Sequence, residues 1–403
     1  MVQDFALRSI HYPDELQLMD LKFSDEQEML RDVTRRVCED FVPFPVLRRV
    51  EGTEPGFSIE FWRALIDAGI AGLTIEPALG GLGLGSTESM IVHEEFGRGL
   101  AFSPHFISSL LAAQLIAAAG DQEQRRRWLP DIARGEMIIS VGSLEPGCGY
   151  RFTDVQCRAT RTSTGYCLSG TKDLVPYASS AKAVLVLART GSGSDEVIGL
   201  IVDMASSGVS LLYQPNHARD ALFRIDFSEV DVAFENALKG GEGIAAEWQE
   251  AMYTSLIPMA AQAVGGAAKA HEIAVGYAKV REAFGKPIGA FQAIAHSLAD
   301  VAVEVEGSRM LVWQAAWAKE RGYPFRRLAA IAKVQACEMY RRAAAVTIQV
   351  HGGLGFTMDA DPQLFFRRAK QLQLLNWDPD YLEERIVEMS LQEIPDSGSG
   401  FYV

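Results

Sequence analysis

Hydrophobic residues in the first third of the chain recur with the period of an α-helix. A capping-box sequence over residues 24–27 precedes apolar residues at helical spacing, and together they predict a first helix. The apolar residues of this stripe are Leu30, Val33, Val37 and Phe41. Further helices are predicted over residues 61–70, 88–96 and 108–119, with a glycine-rich loop over residues 77–85. We therefore predict an N-terminal helical domain over residues 1–136.

Short apolar or β-branched runs replace this helical period from about residue 137. The runs cover residues 137–144, 183–188 and 197–202. Glycine-containing turns separate them, as is typical of short antiparallel strands. We therefore predict a middle antiparallel β domain over residues 137–243.

The helical period returns near residue 247 and continues with two long apolar stripes. The first stripe contains Ile288, Phe291, Ile294, Leu298, Val301 and Val305, and the second contains Leu328, Ile331, Val334, Met339, Ala343, Val346 and Val350. Small residues dominate positions 260–270, which allows helices to approach closely. Long helices with short connections predict a four-helix bundle over residues 244–403, and an α+β fold for the whole chain.

The composition of the chain limits the kinds of partner that it can bind. The chain has 403 residues, of which 48% are hydrophobic and 22% charged, so it can form two or three domains with filled cores. Its net charge of −14 opposes binding to nucleic acid or to an anionic membrane surface. We expect neither as a partner.

The cysteines and the N-terminal segment indicate the compartment. The five cysteines are odd in number and include no Cys-x-x-Cys pair, which disfavours a disulfide framework and a zinc ribbon. Residues 1–20 lack the basic start and apolar run of a signal peptide, and no stretch of about 18 apolar residues occurs. A cytoplasmic location is therefore expected.

Two other sequence patterns do not indicate a binding site. A G-x-G-x-x-A sequence over residues 241–246 has no surrounding βαβ unit, so we interpret it as a linker. His93, His271, His296 and His351 show no spacing typical of metal ligands, and we expect them on helix surfaces. No metal site is predicted.

Two glycine-containing segments are the most informative motifs. They read Arg-Glu-Ala-Phe-Gly-Lys-Pro-Ile-Gly-Ala-Phe-Gln over residues 281–292 and Gln-Val-His-Gly-Gly-Leu-Gly-Phe over residues 349–356. Together they resemble the cofactor-binding signature of the acyl-CoA dehydrogenase family. Further landmarks in the order of that family cover residues 73–77, 80–83, 93–98, 145–147 and 168–172, so the resemblance extends over nearly the whole chain. It implies the same three-domain fold and FAD as the cofactor.

The resemblance implies that these segments hold the ADP end of FAD at a subunit interface. The residues concerned are Arg281, Phe284, Gln292, Gln349, Gly352 and Gly353. An arginine can form a bidentate contact with a pyrophosphate, and glycines let backbone amides approach it. Gln292 either orients the phosphates or packs across the interface. The alternative is a surface arginine and a glycine that ends a helix.

Around the flavin ring the sequence departs from the family pattern. The threonine that normally precedes Glu-Pro is Leu144, and the usual Gly-Ser-Asp is Gly-Tyr-Arg over residues 149–151. The aromatic-Ile-Thr run that bonds the flavin in the family is Leu-Val-Pro over residues 174–176. Pro176 has neither an amide proton nor a hydroxyl group. The ring position of this chain therefore lacks its usual donors.

The catalytic base is also missing, so no catalytic residue is assigned. Asn376 lies where the family has a glutamate, and the alternative base position falls at about Ser255–Leu256. An amide cannot abstract the α-proton of a thioester, and loss of a general base costs about 10²–10⁴-fold in rate. Asp378 and Asp380 lie close enough in sequence to replace the base, although acids at such a position more often form turns.

The resemblance thus implies a subunit of a FAD-dependent acyl-CoA dehydrogenase that donates its ADP half-site to a catalytic partner. In this family, such heteromers are associated with bulky CoA thioesters as substrates, including steroid degradation intermediates. The expected partners are an acyl-CoA dehydrogenase-like subunit in an α2β2 assembly, a CoA thioester and an electron-transfer flavoprotein. The reaction implied is α,β-desaturation. Three alternatives are a self-sufficient homotetramer that uses Asp378 or Asp380, an oxidase or monooxygenase, and a non-catalytic subunit without cofactor.

Overall fold

The predicted order of helical, β and helical domains is confirmed. A computed structural model describes residues 22–193, 196–238 and 244–392. Helices precede Ile139, strands occupy the chain from there to Leu238, and helices follow from Ala245. The signal-peptide prediction for residues 1–20 and the glycines at 241 and 243 of the G-x-G-x-x-A sequence lie outside the described residues.

The N-terminal domain is built from short helices. They are α1 (Asp25–Phe41), α2 (Phe44–Val50), α3 (Ile59–Asp67), α4 (Ser86–Gly99), a π-helix (His105–Ala112), α5 (Ala113–Ala119) and α6 (Gln122–Ala133). The capping box of α1 is present, since the Gln27 amide donates to Ser24 Oγ at 3.2 Å and the Ser24 amide donates to Gln27 Oε1 at 3.0 Å.

The predicted apolar stripe of α1 is partly wrong. Val33 and Phe41 are 38% and 39% exposed, whereas Thr34 and Cys38 are buried. The hydroxyl of Thr34 donates to the carbonyl of Leu30 at 2.8 Å, so this polar residue can be buried without an unpaired donor. The buried face of the helix is therefore rotated by about one residue from the apolar pattern.

His93 was predicted on a helix surface, and this is wrong because α4 buries it completely. His93 Nε2 lies 3.2 Å from His105 Nδ1, and His105 Nε2 lies 2.9 Å from the carbonyl of Ile70. A carbonyl only accepts, so His105 donates to Ile70 and accepts from His93, whose Nδ1 then accepts from the Gln262 amide at 2.7 Å. Both rings are neutral in this chain of hydrogen bonds, which explains why they can be buried.

The middle domain is one eight-stranded sheet in the order β6-β7-β3-β2-β4-β5-β8, with β1 paired to β4. Its strands are β1 (Ile139–Gly142), β2 (Arg158–Arg161), β3 (Gly165–Pro176), β4 (Ala183–Arg189), β5 (Val197–Asp203), β6 (Val209–Tyr213), β7 (Leu222–Ala233) and β8 (Ala237–Leu238). Most pairs are antiparallel as predicted, but β1 and the end of β2 run parallel to β4. The three apolar runs correspond to β1, β4 and β5, in which most side chains are buried.

The C-terminal domain consists of α7 (Ala245–Val280), α8 (Gln292–Glu320), α9 (Arg326–His351), α10 (Pro362–Leu374) and α11 (Pro379–Gln392). The first four helices form the predicted bundle, and α11 packs on α9. Glycines bring α4 and α7 together, because a Cβ on Gly97 or Gly265 would collide with a main-chain carbonyl of the facing helix. Within the described residues, no helix is both long and apolar enough to cross a membrane.

Candidate functional site

The segment after α7 forms a β-hairpin with a two-residue turn. Strands β9 (Glu282–Ala283) and β10 (Lys286–Pro287) pair in antiparallel fashion. Phe284 and Gly285 form the turn with φ of 51° and 79°, and such two-residue turns require positive φ at both positions. Phe284 is 96% exposed at the tip. The hairpin therefore presents this ring outward from the bundle.

Arg281 connects α7 to the hairpin. Its amide donates to the carbonyl of Tyr277 at 2.9 Å, and its carbonyl accepts from the amide of Ile288 at 2.8 Å. The residue is exposed, and no carboxylate among the described residues pairs with its guanidinium. The main chain is thus fixed at both ends while the cation stays available for an anionic ligand.

The glycine turn ends α9. Gly352 has φ 61° and ψ −142°, a conformation that essentially only glycine adopts. A Cβ at Gly352 or Gly353 would meet no heavy atom within 4 Å, so open space adjoins this backbone. The turn can therefore admit a ligand close to its main chain.

A ring stack joins the hairpin and the glycine turn. The rings of Tyr277 and His351 lie 4.2 Å apart at an interplanar angle of 24°. Tyr277 precedes Arg281 by one helical turn, and Gln349 lies two residues before His351, so both segments occupy the same end of the bundle. Gln292 begins α8, after a short 3-10 turn (Ile288–Ala290) that follows the hairpin, and it is exposed.

The structure therefore brings all six predicted cofactor-binding residues to one bundle end. A free guanidinium, two exposed amide side chains and an open glycine backbone fit the ADP portion of a dinucleotide. Their role in binding a cofactor stays a prediction. Exposed apolar side chains accompany them along these segments: Val280, Phe284, Leu354, Phe356 and Met358. Such a concentration of exposed apolar groups is typical of an interaction surface.

A buried ion pair joins the two predicted landmarks of the β domain. Lys172 Nζ lies 2.5 Å from Glu145 Oε1, and both side chains are at most 5% exposed. Glu145 also accepts from the amides of Gln156 and Cys157 at 2.7 and 3.1 Å. These bonds compensate for removing the carboxylate from water and fix the loop after β1 against β3.

The end of β3 has no free donor at two of its three last residues. Leu174 has a left-handed φ of 54°, and its amide donates to Gln214 Oε1 at 2.8 Å. Pro176 has no amide proton, and its carbonyl accepts from the Ser140 hydroxyl at 2.5 Å. Neither Leu174 nor Pro176 therefore has a main-chain N–H group that is free to bind a ligand.

Pro176 and Asn376 line the same cavity, which is narrow. Its volume is about 130 Å³, and Tyr177, Asp220 and Arg368 also line it. Pockets for small ligands usually have volumes of about 300–1,000 Å³. This cavity is therefore too small for a flavin ring, although Asn376 also lines a second cavity of about 300 Å³ together with Tyr150 and Trp377.

Asn376 lies in a strained turn after α10. It and Trp377 have φ of 47° and 73°, and the Asn376 Nδ2 atom is buried without a partner. Lys333 holds this turn by donating to the carbonyls of Gln373, Leu375 and Trp377 at 3.1, 2.8 and 2.9 Å. Burial lowers the pKa of Lys333. The turn is thus fixed by a cation at the C-terminal end of a helix.

Neither predicted substitute base lines this cavity. Asp378 accepts from the amide of Tyr381 at 3.0 Å and from the Tyr150 hydroxyl at 3.2 Å. Burial, followed by the charge of Asp378, raises the pKa of Tyr150 to about 12. Asp378 therefore caps α11, and Asp380 is exposed in the first turn of that helix.

The second family position for a base is also without a carboxylate. Ser255 is buried and donates to the carbonyl of Met252 at 2.7 Å, and Leu256 is fully buried. Asp220, which sequence reasoning missed, is the carboxylate that lines the cavity. Its Oδ1 lies 2.5 Å from Arg368 Nη1, so the ion pair already occupies it. No group of three His, Cys, Asp or Glu within the described part of the chain could hold a metal ion.

Two family models match the sequence. The model for "Acyl-CoA dehydrogenase, N-terminal domain" matches residues 24–136. The model for "Acyl-CoA dehydrogenase, C-terminal domain" matches residues 241–376. The matched ranges together include the bundle end and the turn at Asn376.

Known proteins resemble the chain over most of its length. The "Probable acyl-CoA dehydrogenase YngJ" of Bacillus subtilis is 30% identical over 88% of this chain and 95% of its own. A variant of the Tcur3481-Tcur3483 steroid ACAD is 31% identical, with a TM-score of 0.82 over 91% of this chain and 98% of that chain. The ChsE4-ChsE5 complex of Mycobacterium tuberculosis is 28% identical, with a TM-score of 0.84 over 94% and 100%.

Proposed function

The chain belongs to the acyl-CoA dehydrogenase family of FAD-dependent oxidoreductases, and from this premise we propose that it is the non-catalytic half of a heteromeric enzyme. Its bundle end holds the ADP portion of a FAD. The flavin-ring pocket and the catalytic base belong to a partner subunit of the same family. The reaction of the assembly is α,β-desaturation of a CoA thioester.

The observation that carries this proposal is the contrast between two sites of one chain. At the bundle end, Arg281 has no ionic partner among the described residues, and Gly352 keeps its backbone open. At the other site, Pro176 offers no amide, Asn376 replaces the base, and the cavity is about 130 Å³. The presence of all the predicted ADP-binding residues in a chain without the usual ring-site residues supports a role in a shared cofactor site.

The residues of the bundle end have separate tasks. Arg281 would hold the pyrophosphate through charge-assisted hydrogen bonds. The amides of the glycine turn donate to ligand oxygens, and Gln349 and Gln292 orient them. The exposed ring of Phe284 packs against the partner. FAD bound there would supply the hydride acceptor of the reaction.

The proposed assembly of two kinds of subunit is based on the position of the half-site at an exposed end of the bundle. The hairpin and glycine turn combine exposed apolar groups with polar ligands, the composition of an interface that also binds a cofactor. The similar Tcur3481-Tcur3483 and ChsE4-ChsE5 proteins carry paired names, and the first is called a steroid ACAD. We therefore propose an α2β2 assembly, a bulky steroid-type CoA thioester as substrate and an electron-transfer flavoprotein as acceptor.

Counting flavins in the complex tests this function. The chain is co-purified with its acyl-CoA dehydrogenase-like partner subunit, and bound FAD is measured after denaturation. We expect one FAD per pair of different subunits. The R281A variant should retain less than about a tenth of this FAD, because the lost charge-assisted bonds exceed about 1.4 kcal/mol.

The matched control is R36A, which removes an exposed arginine from α1. This variant should retain the wild-type flavin content. Two FAD molecules per pair, or full retention in R281A, would contradict the proposed half-site. A lone preparation that holds FAD and oxidises a thioester would instead favour the self-sufficient homotetramer.

A further inference from the structure

The narrow cavity beside Pro176 contains an ion pair between two domains. Arg368 on α10 lies 2.5 Å from Asp220, which precedes β7, and the two side chains are 17% and 11% exposed. The guanidinium also lies over the ring of Phe102. The pair therefore projects charged groups into a space that is otherwise lined mostly by apolar residues.

Tyr177 forms another wall of the same cavity. It has a left-handed φ of 52°, and its ring packs edge-on against Phe57 at 5.7 Å. Because it directly follows Pro176, its ring lies where the chain leaves the end of β3. Together with the ion pair it leaves the small volume described above.

Stability alone does not account for this arrangement. Burial raises the pKa of Asp220 and lowers that of Arg368, and each charge opposes the effect on the other. Buried ion pairs are often no more stabilising than apolar side chains of similar size. Unpaired polar atoms also line the cavity, namely Arg368 Nε, Tyr340 Oη and Asn376 Nδ2. The charged pair therefore calls for a role other than packing.

We infer that Arg368, held by Asp220, and Tyr177 exclude a flavin ring from the cavity of this chain. The inference deepens the proposed function, on which it rests for its consequence that only the partner's pocket takes the ring. The exclusion itself is a property of this chain alone. These side chains exclude the ring by occupying its space, which is an effect separate from the missing hydrogen-bond donors.

Lumiflavin provides a test that does not depend on the ADP site, because it contains the ring system without the ADP tail. The full-length chain is titrated with lumiflavin, and quenching of lumiflavin fluorescence is measured. The D220A/R368A variant removes both charged groups and enlarges the cavity. We expect it to bind lumiflavin with a dissociation constant at least tenfold lower than that of the wild-type chain.

A second variant protects the test against misfolding of the first. Y177G removes the aromatic wall and places glycine at a left-handed position, which favours it. It should also bind lumiflavin at least tenfold more tightly than wild type. If D220A/R368A does not fold, Y177G decides the outcome alone.

The neighbouring ion pair provides the matched control. Arg367 Nη2 lies 2.9 Å from Glu51 Oε2, and these residues do not line the cavity. E51A/R367A should lose thermal stability yet bind lumiflavin no better than wild type. Wild-type binding as tight as that of the variants, or no gain in any folded cavity variant, would overturn the inference. Failure of the R281A prediction would leave these lumiflavin results unchanged.

Discussion

The ammonium group of Lys333 lies 2.8 Å from the main-chain oxygen of Leu375. It joins α9 to the turn that carries Asn376, and two further carbonyls of that turn accept from the same nitrogen. Its hydrogen-bond partners are these main-chain carbonyls, and the more distant charge of Asp378 also favours the charged form of this buried lysine. The position of Asn376 therefore depends on a residue in another helix.

Replacing Lys333 with methionine tests this dependence. The variant keeps much of the side-chain volume but leaves three carbonyls without their donor, and a buried unpaired group costs about 1–3 kcal/mol. We expect the apparent free energy of unfolding in urea to fall by about 3 kcal/mol. The control K279M, at an exposed lysine of α7, should change it by less than about 0.5 kcal/mol. Equal urea midpoints for K333M and wild type would contradict the role of the ammonium.

The buried histidine pair predicts a loss of stability in acid. Burial lowers the pKa of His105 to about 4 and that of His93 well below its usual 6.5. The unfolded chain therefore binds protons first as the pH falls from 6.5, and stability declines over the window from about pH 6.5 to 4. The contribution of His105 alone is about 3 kcal/mol at most.

Urea denaturation at several pH values measures this slope. H105Q should make the free energy of unfolding less dependent on pH within that window, because one titrating group is gone. H296Q, at an exposed position of α8, should leave the slope unchanged. Equal slopes for H105Q and wild type would show that the pair is not the source of the acid sensitivity.

A substitution at Gly352 tests whether the main chain of the bundle end takes part in the proposed binding of FAD. Its positive φ places alanine in a strained conformation, which costs about 1–3 kcal/mol if the turn is kept. We expect G352A to reduce the FAD content of the co-purified complex by about fivefold or more, measured as flavin absorbance per protein. G276A is the control, because this exposed glycine lies within α7 with no heavy atom near a Cβ. It should retain FAD, and alanine should stabilise the helix by up to about 1 kcal/mol.

The sequence predicted the domains because helix and strand periods survive in long segments. The 3.6-residue stripes of α8 and α9 identified the bundle, and continuous apolar runs identified β1, β4 and β5. Strands β2 and β6 were missed because most of their side chains are exposed. Bulges interrupt the alternation in β3, whereas β7 was missed although Phe223, Ile225 and Phe227 alternate with polar residues. Glycine and proline signals also placed the hairpin and the turn after α9.

The site was predictable only where its chemistry is local in sequence. The hairpin at Phe284 and the turn at Gly352 are set by neighbouring residues. In contrast, the pairing of Asp220 with Arg368, and that of His93 with His105, depends on how separate elements pack. A lysine amid the apolar positions of α9 was a signal for the buried Lys333, but nothing in the sequence indicated three carbonyl partners. Tertiary packing of charges explains these omissions.

The hairpin of residues 282–287 has a consequence for how such a chain can diverge. Its shape comes from its own turn and from adjoining helix ends, while the cavity beside Pro176 is lined by other residues, among them interior positions of α7 and α9. Substitutions among the cavity residues can therefore accumulate without changing the turn of the hairpin. Under the proposed function, selection on the assembled enzyme would preserve the hairpin even in a subunit that has no catalytic base.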